Sequence, residues 1–163
     1  MILTSAERAK DLKKKPVYVL GTGTAATHMM ISQVPDLTVT PGAISGPKAF
    51  AEAGISTNDV DVLMAYDSFT ITVLLHLEDL GFCKKGEGGD FVASTSFGLD
   101  GPMPVNTHGG LLSQAHIIGM NHIVELVKQL RGQGGKMQVK DAEIGLVTGY
   151  GDMGDGGVAI MRC

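Results

Sequence analysis

Pro104-Val105-Asn106-Thr107-His108-Gly109-Gly110-Leu111-Leu112-Ser113-Gln114-Ala115-His116-Ile117-Ile118-Gly119-Met120 is the stretch around which the rest of the chain is organised. It reads as a short strand, a turn through a glycine pair and the start of a long helix. His108 and His116 stand eight residues apart across that turn. Gly109-Gly110 gives the backbone access to positive φ and lets it approach a ligand closely. The start of the following helix offers unpaired N–H groups and a positive dipole end, a good place for an oxygen that gains negative charge. A plain loop-to-helix turn with a buried, satisfied histidine fits the same residues, and both readings stay open.

Outward from the turn, the chain alternates strand and helix signals. The helix runs on to about Leu130, with Ile117, Ile118, Ile123, Val124, Val127 and Leu130 apolar, and Arg131-Gly132-Gln133-Gly134-Gly135 closes it. Upstream, Val60–Ala65 is a strand whose apolar run suits burial on both faces. Phe69–Leu80 is a helix ended by Gly81, and Lys84–Gly89 is a polar, glycine-rich loop. Residues 42–53 form another helix, stopped by Gly54, and Ser56–Asp59 is a turn. Nearer the N-terminus, Ser5 caps a helix over Ala6–Leu12, Lys13-Lys14-Lys15 follows it, and Pro16 ends it. Val17–Leu20 is a strand and Gly21-Thr22-Gly23-Thr24 the turn after it; without a third glycine this is no dinucleotide fingerprint. His28 falls in an irregular segment as a structural or exposed residue. Two last strands, 142–148 and 158–162, flank a glycine-dense loop over 149–157 and suggest a hairpin at a sheet edge. Strands alternating with helices give an α/β layered domain.

At 163 residues the chain is one domain with a sizeable core. Its 44% hydrophobic and 18% charged residues exclude a disordered chain. The net charge of −4 argues against nucleic acid or an anionic membrane as the main partner. No apolar run reaches the roughly 18 residues of a membrane span. The N-terminus is not a signal peptide. Cys83 and Cys163 have no metal-ligand spacing, and they read as two reduced thiols of a cytoplasmic protein.

Three loops are placed to converge at one end of the sheet, where α/β proteins bind ligands: Tyr66-Asp67-Ser68-Phe69, the Asn106–His116 turn, and Gly149–Gly157. Tyr66 is a candidate general acid, with a core tyrosine as the competing reading. Asp67 and Ser68 read as caps of the next helix. His116 is the first acid–base candidate, its ordinary pKa of about 6.5 suiting proton transfer near neutrality, and His108 is the second. His122 and His76 lie within helices as packing or surface residues. The last loop can present backbone N–H groups to an oxyanion, while Asp152 and Asp155 read as turn formers. Cys83 precedes two lysines that would lower its pKa. It lies on the far side of its helix from Tyr66 and takes no catalytic role.

Tyr66-Asp67-Ser68-Phe69-Thr70, Leu80-Gly81-Phe82-Cys83, Pro104-Val105-Asn106 with Gly109-Gly110-Leu111, His116 with Gly119, and Gln129-Leu130-Arg131-Gly132 resemble, in order, the C-terminal half of thiolases. The resemblance is to the sterol-carrier-protein type and its thiolase-like aldolase relatives. Residues 1–15 resemble the helix that links the two thiolase halves, and 16–163 the C-terminal domain. The implied fold is α/β, with a mixed five-stranded sheet and helices on its faces. The implied chemistry makes or breaks a carbon–carbon bond beside a coenzyme A thioester, in dimers or tetramers. The nucleophilic cysteine of that family belongs to the N-terminal half.

The resemblance assigns His116 to the histidine of the Gly-His-Pro motif, here flanked by Ala115 and Ile117. Tyr66 stands where thiolases have Asn or His as an oxyanion-hole partner. Ser68 stands where sterol-carrier types have the acid–base cysteine. The C-terminal Cys-x-Gly is missing, with Gly149-Tyr150-Gly151 nearby. Both usual positions of the second thiol are thus empty. A tyrosine at 66 matches the aldolase relatives, which cleave β-hydroxyacyl-CoA side chains of steroids with tyrosines as acid–base groups; Tyr150 is a second candidate.

The implied catalytic residues are His116 and Tyr66. The implied oxyanion or substrate-binding residues are Ser68, Asn106, His108, Gly109, Gly110, Gly149, Tyr150 and Gly151. No metal and no bound cofactor are expected, coenzyme A thioester being the substrate. The expected partners are acyl-CoA, an N-terminal thiolase half or like subunit, a zinc-ribbon/OB-fold acyl-CoA-binding protein, and further copies of the chain. The expectation is a thiolase-like acyltransferase or retro-aldolase, inactive as the isolated chain. A non-catalytic acyl-CoA-binding or scaffold domain is the alternative, and a truncated product with an exposed apolar patch is a third reading.

Overall fold

A computed structural model describes residues 1–151 and 154–163. Its frame is one mixed sheet of Tyr18–Ala26 (β1), Val62–Met64 (β2), Ile144–Tyr150 (β3) and Asp155–Arg162 (β4), in the order β1-β4-β3-β2. β3 and β4 form the expected antiparallel hairpin, with Leu146 opposite Ile160. The hairpin is central rather than at an edge. β1 pairs antiparallel outside β4, and β2 pairs parallel outside β3.

The sheet has four strands where five were expected. The missing one is the short strand before the glycine pair. Val105 makes a single parallel bridge to Leu63, with Leu63 N–H donating to Pro104 O and Asn106 N–H donating to Leu63 O, both at 2.9 Å. Pro104 has no N–H to extend the ladder, and Asn106 turns away at φ 49°.

Side-chain alternation divides the core in two. Leu63, Ala65, Leu146, Val158 and Ile160 pack with Ala49 of helix Gly42–Ala53 (α2) and with Leu77 and Leu80 at helix Thr70–Asp79 (α3). Val62, Met64, Val147 and Met161 pack with Leu126 and Leu130 of the long C-terminal helix. Helices therefore cover both faces, which is why Val62–Met64 carries no polar residue. α2 ends as expected, with Gly54 left-handed at φ 68°.

Elsewhere the elements depart from expectation. The first helix is one turn, Ala6–Ala9 (α1). Gly21-Thr22-Gly23-Thr24 is not a turn but lies within β1. A Cβ on Gly21 would run into the backbone of Ala49 and Ala53, and one on Gly23 into the carbonyl of Ser45, so these glycines let α2 lie directly on the strand. Gly88 and Gly89 begin an additional helix, Gly88–Ser94 (α4), and Glu78 accepts from Gly88 N–H at 2.9 Å. The long helix expected from Gly110 is two: Gly110–Ser113 (α5) and Met120–Leu130 (α6). Between them Ile118 (φ 54°) and Gly119 (φ 75°) reverse the backbone. Ile117 and Ile118 are exposed instead of facing the core. Among the described residues, no helix is long and apolar enough to cross a membrane.

Candidate active site

The site is built at the C-terminal end of β2, where the buried run Ala65-Tyr66-Asp67 leaves the sheet. Tyr66 N–H donates to Thr148 Oγ1 at 2.9 Å, tying it to β3. The loop between α5 and α6 brings His116 over it, and Tyr66 Oη and His116 Nε2 lie 3.0 Å apart. That loop passes so close that a Cβ on Gly119 would stand 3.1 Å from the Tyr66 ring. Tyr66 is buried at 6% exposure while His116 is exposed, so the pair spans the boundary between core and surface.

Asp67 caps a helix, but not the one that follows it. Its carboxylate accepts from Leu111 N–H at 2.8 Å and Leu112 N–H at 3.3 Å, at the start of α5. Those two N–H groups are therefore not open to an oxyanion. Gly109 N–H is also engaged, donating to Asn106 O at 2.8 Å. A Cβ on Gly110 would overlap the Asp67 carboxylate, and Gly110 sits at φ 68°. The glycine pair serves this close approach.

Sequence reasoning missed His122. Its ring is fully buried, and Nε2 lies 3.0 Å from Ala65 O and 3.1 Å from Asp67 Oδ1. It stacks on Tyr66 with centroids 6.2 Å apart and meets His108 edge-on at 4.9 Å. Burial pushes the His122 pKa down against the opposing pull of Asp67. Burial also lowers His108, and neighbouring His122 adds to the effect. The only advance signal for His122 was a histidine on the apolar stripe of a helix.

Three expected site residues carry polar atoms that are buried without a hydrogen-bond partner among the described residues: Ser68 Oγ, Asn106 Oδ1 and both ring nitrogens of His108. Such groups cost free energy unless something pairs them. Asn106 Nδ2 donates to Ala65 O at 2.9 Å, which fixes its amide. His108 also lines an open groove of about 380 Å³ with Gln114, Asn121, Glu125 and Lys128.

The third loop is shorter than expected. Gly149 and Tyr150 are strand residues, opposite Gly157 and Gly156. Gly151 N–H donates to Asp155 O at 2.7 Å. Asp155 opens β4, and Asp152 lies outside the described residues. Tyr150 sits edge-on to the buried His76 ring at 5.9 Å, and His76 Nδ1 is 3.0 Å from Thr148 Oγ1. Burial, with Glu78 and Glu87 nearby, raises the Cys83 pKa, overriding the lysines expected to lower it. Cys163 donates to Pro16 O. Among the described residues no group of three or more His, Cys, Asp or Glu side chains is placed to hold a metal.

The family model for thiolase C-terminal domain-like proteins matches residues 23–161. The chain belongs to this family. It is 42% identical over 137 residues to a 17-hydroxy-3-oxo-4-pregnene-20-carboxyl-CoA lyase of Mycobacterium tuberculosis, covering 81% of this chain and 36% of that protein. To an acetyl-CoA acetyltransferase of Methanothermobacter thermautotrophicus it is 37% identical over 166 residues, covering 99% and 43%. A solved chain described as Ltp2-ChsH2(DUF35) aldolase superposes with a TM-score of 0.87 at 34% identity, covering 97% of this chain and 42% of that one. The chain thus spans 36–43% of the length of these relatives.

Proposed function

We propose that this chain forms the C-terminal half of a thiolase-fold enzyme that cleaves a β-hydroxyacyl-CoA by retro-aldol chemistry, with Tyr66 and His116 as its proton-transfer pair. The observation that carries the reading is the 3.0 Å contact between Tyr66 Oη and His116 Nε2 at the end of a sheet strand. Similarity to a carboxyl-CoA lyase and to an aldolase supports the choice of lyase over acyl transfer. Thiolytic acyl transfer in that family uses a second, acid–base thiol, and Ser68 stands where the resemblance expects it. Retro-aldol cleavage needs no covalent enzyme intermediate. A base takes the β-hydroxyl proton, the Cα–Cβ bond breaks, and its electron pair passes into a thioester enolate. The β-carbon leaves as a carbonyl, and the enolate takes a proton at Cα to give the shortened acyl-CoA.

In this reading Tyr66 is the group that meets the β-hydroxyl, and His116 exchanges the proton with it. Ser68, Asn106 and His108 offer the unpaired polar atoms that substrate would satisfy. Residues 1–15 act as the linker to an N-terminal half, which completes the acyl-CoA site. A separate acyl-CoA-binding subunit fits the same scheme. The test is to co-express the chain with an N-terminal thiolase half and follow carbonyl and acyl-CoA release from a β-hydroxyacyl-CoA. Tyr66→Phe and His116→Ala should each lower turnover by about 10²-fold or more. Turnover unchanged in both variants would replace this reading with a non-catalytic acyl-CoA-binding module. Efficient turnover by the chain alone would show that no second half is needed.

A further inference from the structure

We propose that Asn121 and His122, neighbours in the first turn of α6, are positioning residues that hold Tyr66 and His116 together, one gripping each partner. The inference rests on the reading of Tyr66 and His116 as the reacting pair. His122 Nε2 faces the carbonyl of Ala65 and the carboxylate of Asp67, the residues immediately before and after Tyr66. Both are acceptors, so the ring carries a proton on Nε2 and one N–H clamps the chain on either side of the tyrosine. The imidazole also stacks on the Tyr66 ring, at 6.2 Å with 30° between planes. Asp67 is itself fixed by two N–H donors of α5, so the clamp is anchored at both ends.

Asn121 acts on the other partner. Its Nδ2 donates to Ala115 O at 3.1 Å and approaches Gln114 Oε1 at 3.5 Å, holding the two residues that precede His116. The two grips sit on adjacent residues of one helical turn; with the His122 proton on Nε2, the 3.2 Å approach of Asn121 Oδ1 to the bare Nδ1 is a contact and not a hydrogen bond. The loop needs such a hold. Ala115, His116, Ile117 and Ile118 are all exposed, and the loop meets the core at Gly119, against the Tyr66 ring. Among the described residues the His116 imidazole has Tyr66 Oη as its hydrogen-bond partner, and Asn121 steadies the backbone that carries it. One helical turn thus sets the separation of a buried phenol and an exposed imidazole, which lie fifty residues apart in the chain.

The experiment is solution NMR of this chain labelled with ¹⁵N-histidine and ¹³Cζ-tyrosine. In the wild type, the His122 proton should reside on Nε2, and nuclear Overhauser contacts should link the Tyr66 and His116 rings, as their 3.0 Å approach requires. A His122 ring protonated on Nδ1 alone would overturn the proposal without any variant. In His122→Leu, circular dichroism reports the fold. Those contacts between the Tyr66 and His116 rings should then be lost. His122→Gln, whose amide N–H reaches toward the same acceptors, should restore the ring contacts. Asn121→Ala should release His116 while leaving the Tyr66 ring stacked on His122. A folded His122→Leu protein that keeps the wild-type ring contacts refutes the clamp. If His122→Leu does not fold, the decision falls to His122→Gln, where a folded protein without the ring contacts also refutes it. These readouts need no substrate. Intact ring contacts combined with turnover indifferent to Tyr66→Phe would sink the catalytic reading alone.

Discussion

Tyr66 and His116 were legible in the sequence because each breaks a pattern: a phenol at the end of an apolar strand, and an imidazole just past a glycine turn. Their approach to 3.0 Å was not, because it depends on a reversal at Ile118 and Gly119 that no apolar periodicity signals. His122 and His76 went unread for the opposite reason. A buried histidine on a helical stripe looks the same in sequence whether it is packed idly or bonded. His76 carries a prediction of its own. Thr148 Oγ1 accepts from Tyr66 N–H, so its single proton is free to donate to His76 Nδ1. That bond requires Nδ1 to be bare, and burial holds the His76 pKa down to about 4, Asp79 opposing. The unfolded chain takes up this proton near 6.5, before the folded one does. Stability should therefore fall as pH drops from about 6.5 to about 4, by about 3 kcal/mol from this group. Urea midpoints of wild type and His76→Asn across that window check it. The variant should lose less, and parallel curves would exclude the effect.

At the scale of elements, two of the misread pieces, β1 and the start of α4, share one cause. Glycine was taken as a turn signal, whereas several glycines here mark a close approach. Gly21 and Gly23 sit inside β1 because the backbone of α2 lies where their side chains would be. The same logic applies to Gly110 against Asp67 and Gly119 against Tyr66. α2 itself was read to the residue, since its apolar positions and its left-handed Gly54 are local signals. Opposite signs are expected from two single substitutions. Gly23→Ala forces a methyl into the Ser45 carbonyl and should cost about 1–3 kcal/mol. Gly89→Ala, in α4, meets nothing within 4 Å and should gain up to about 1 kcal/mol from helix propensity. Thermal denaturation of both variants is the check. A Gly23→Ala protein as stable as wild type would mean that α2 does not rest on β1 as described.

At the scale of the whole molecule, strand identity was readable but strand order was not. The alternation of apolar runs and helices gave α/β, yet nothing local says that β1 returns to pair outside β4 and pushes the hairpin to the centre. The parallel pairing of β2 with β3 has a functional consequence: the crossover from Ala65 to Glu143 carries Tyr66, His108, His116 and His122, so the site sits on the connection rather than on the sheet. Beside it several large apolar side chains are exposed. Phe69 and Ile71 follow the Tyr66 loop at 63% and 54% exposure, and Ile117 and Ile118 flank His116 at 54% and 83%. Met29, Met30, Ile31 and Leu37 add a further exposed apolar run. A monomer gains nothing by showing such residues, and their solvation disfavours the isolated chain. In the proposed enzyme the N-terminal half covers the side chains beside His116. The chain alone should therefore self-associate as its concentration rises. Ile117→Glu with Ile118→Glu should reduce that association, because like charges would then face each other across any contact made there. Multi-angle light scattering over a concentration series measures it. A monodisperse monomer at the highest concentration, with the double variant indistinguishable, would remove the exposed apolar rim as an argument for a missing half.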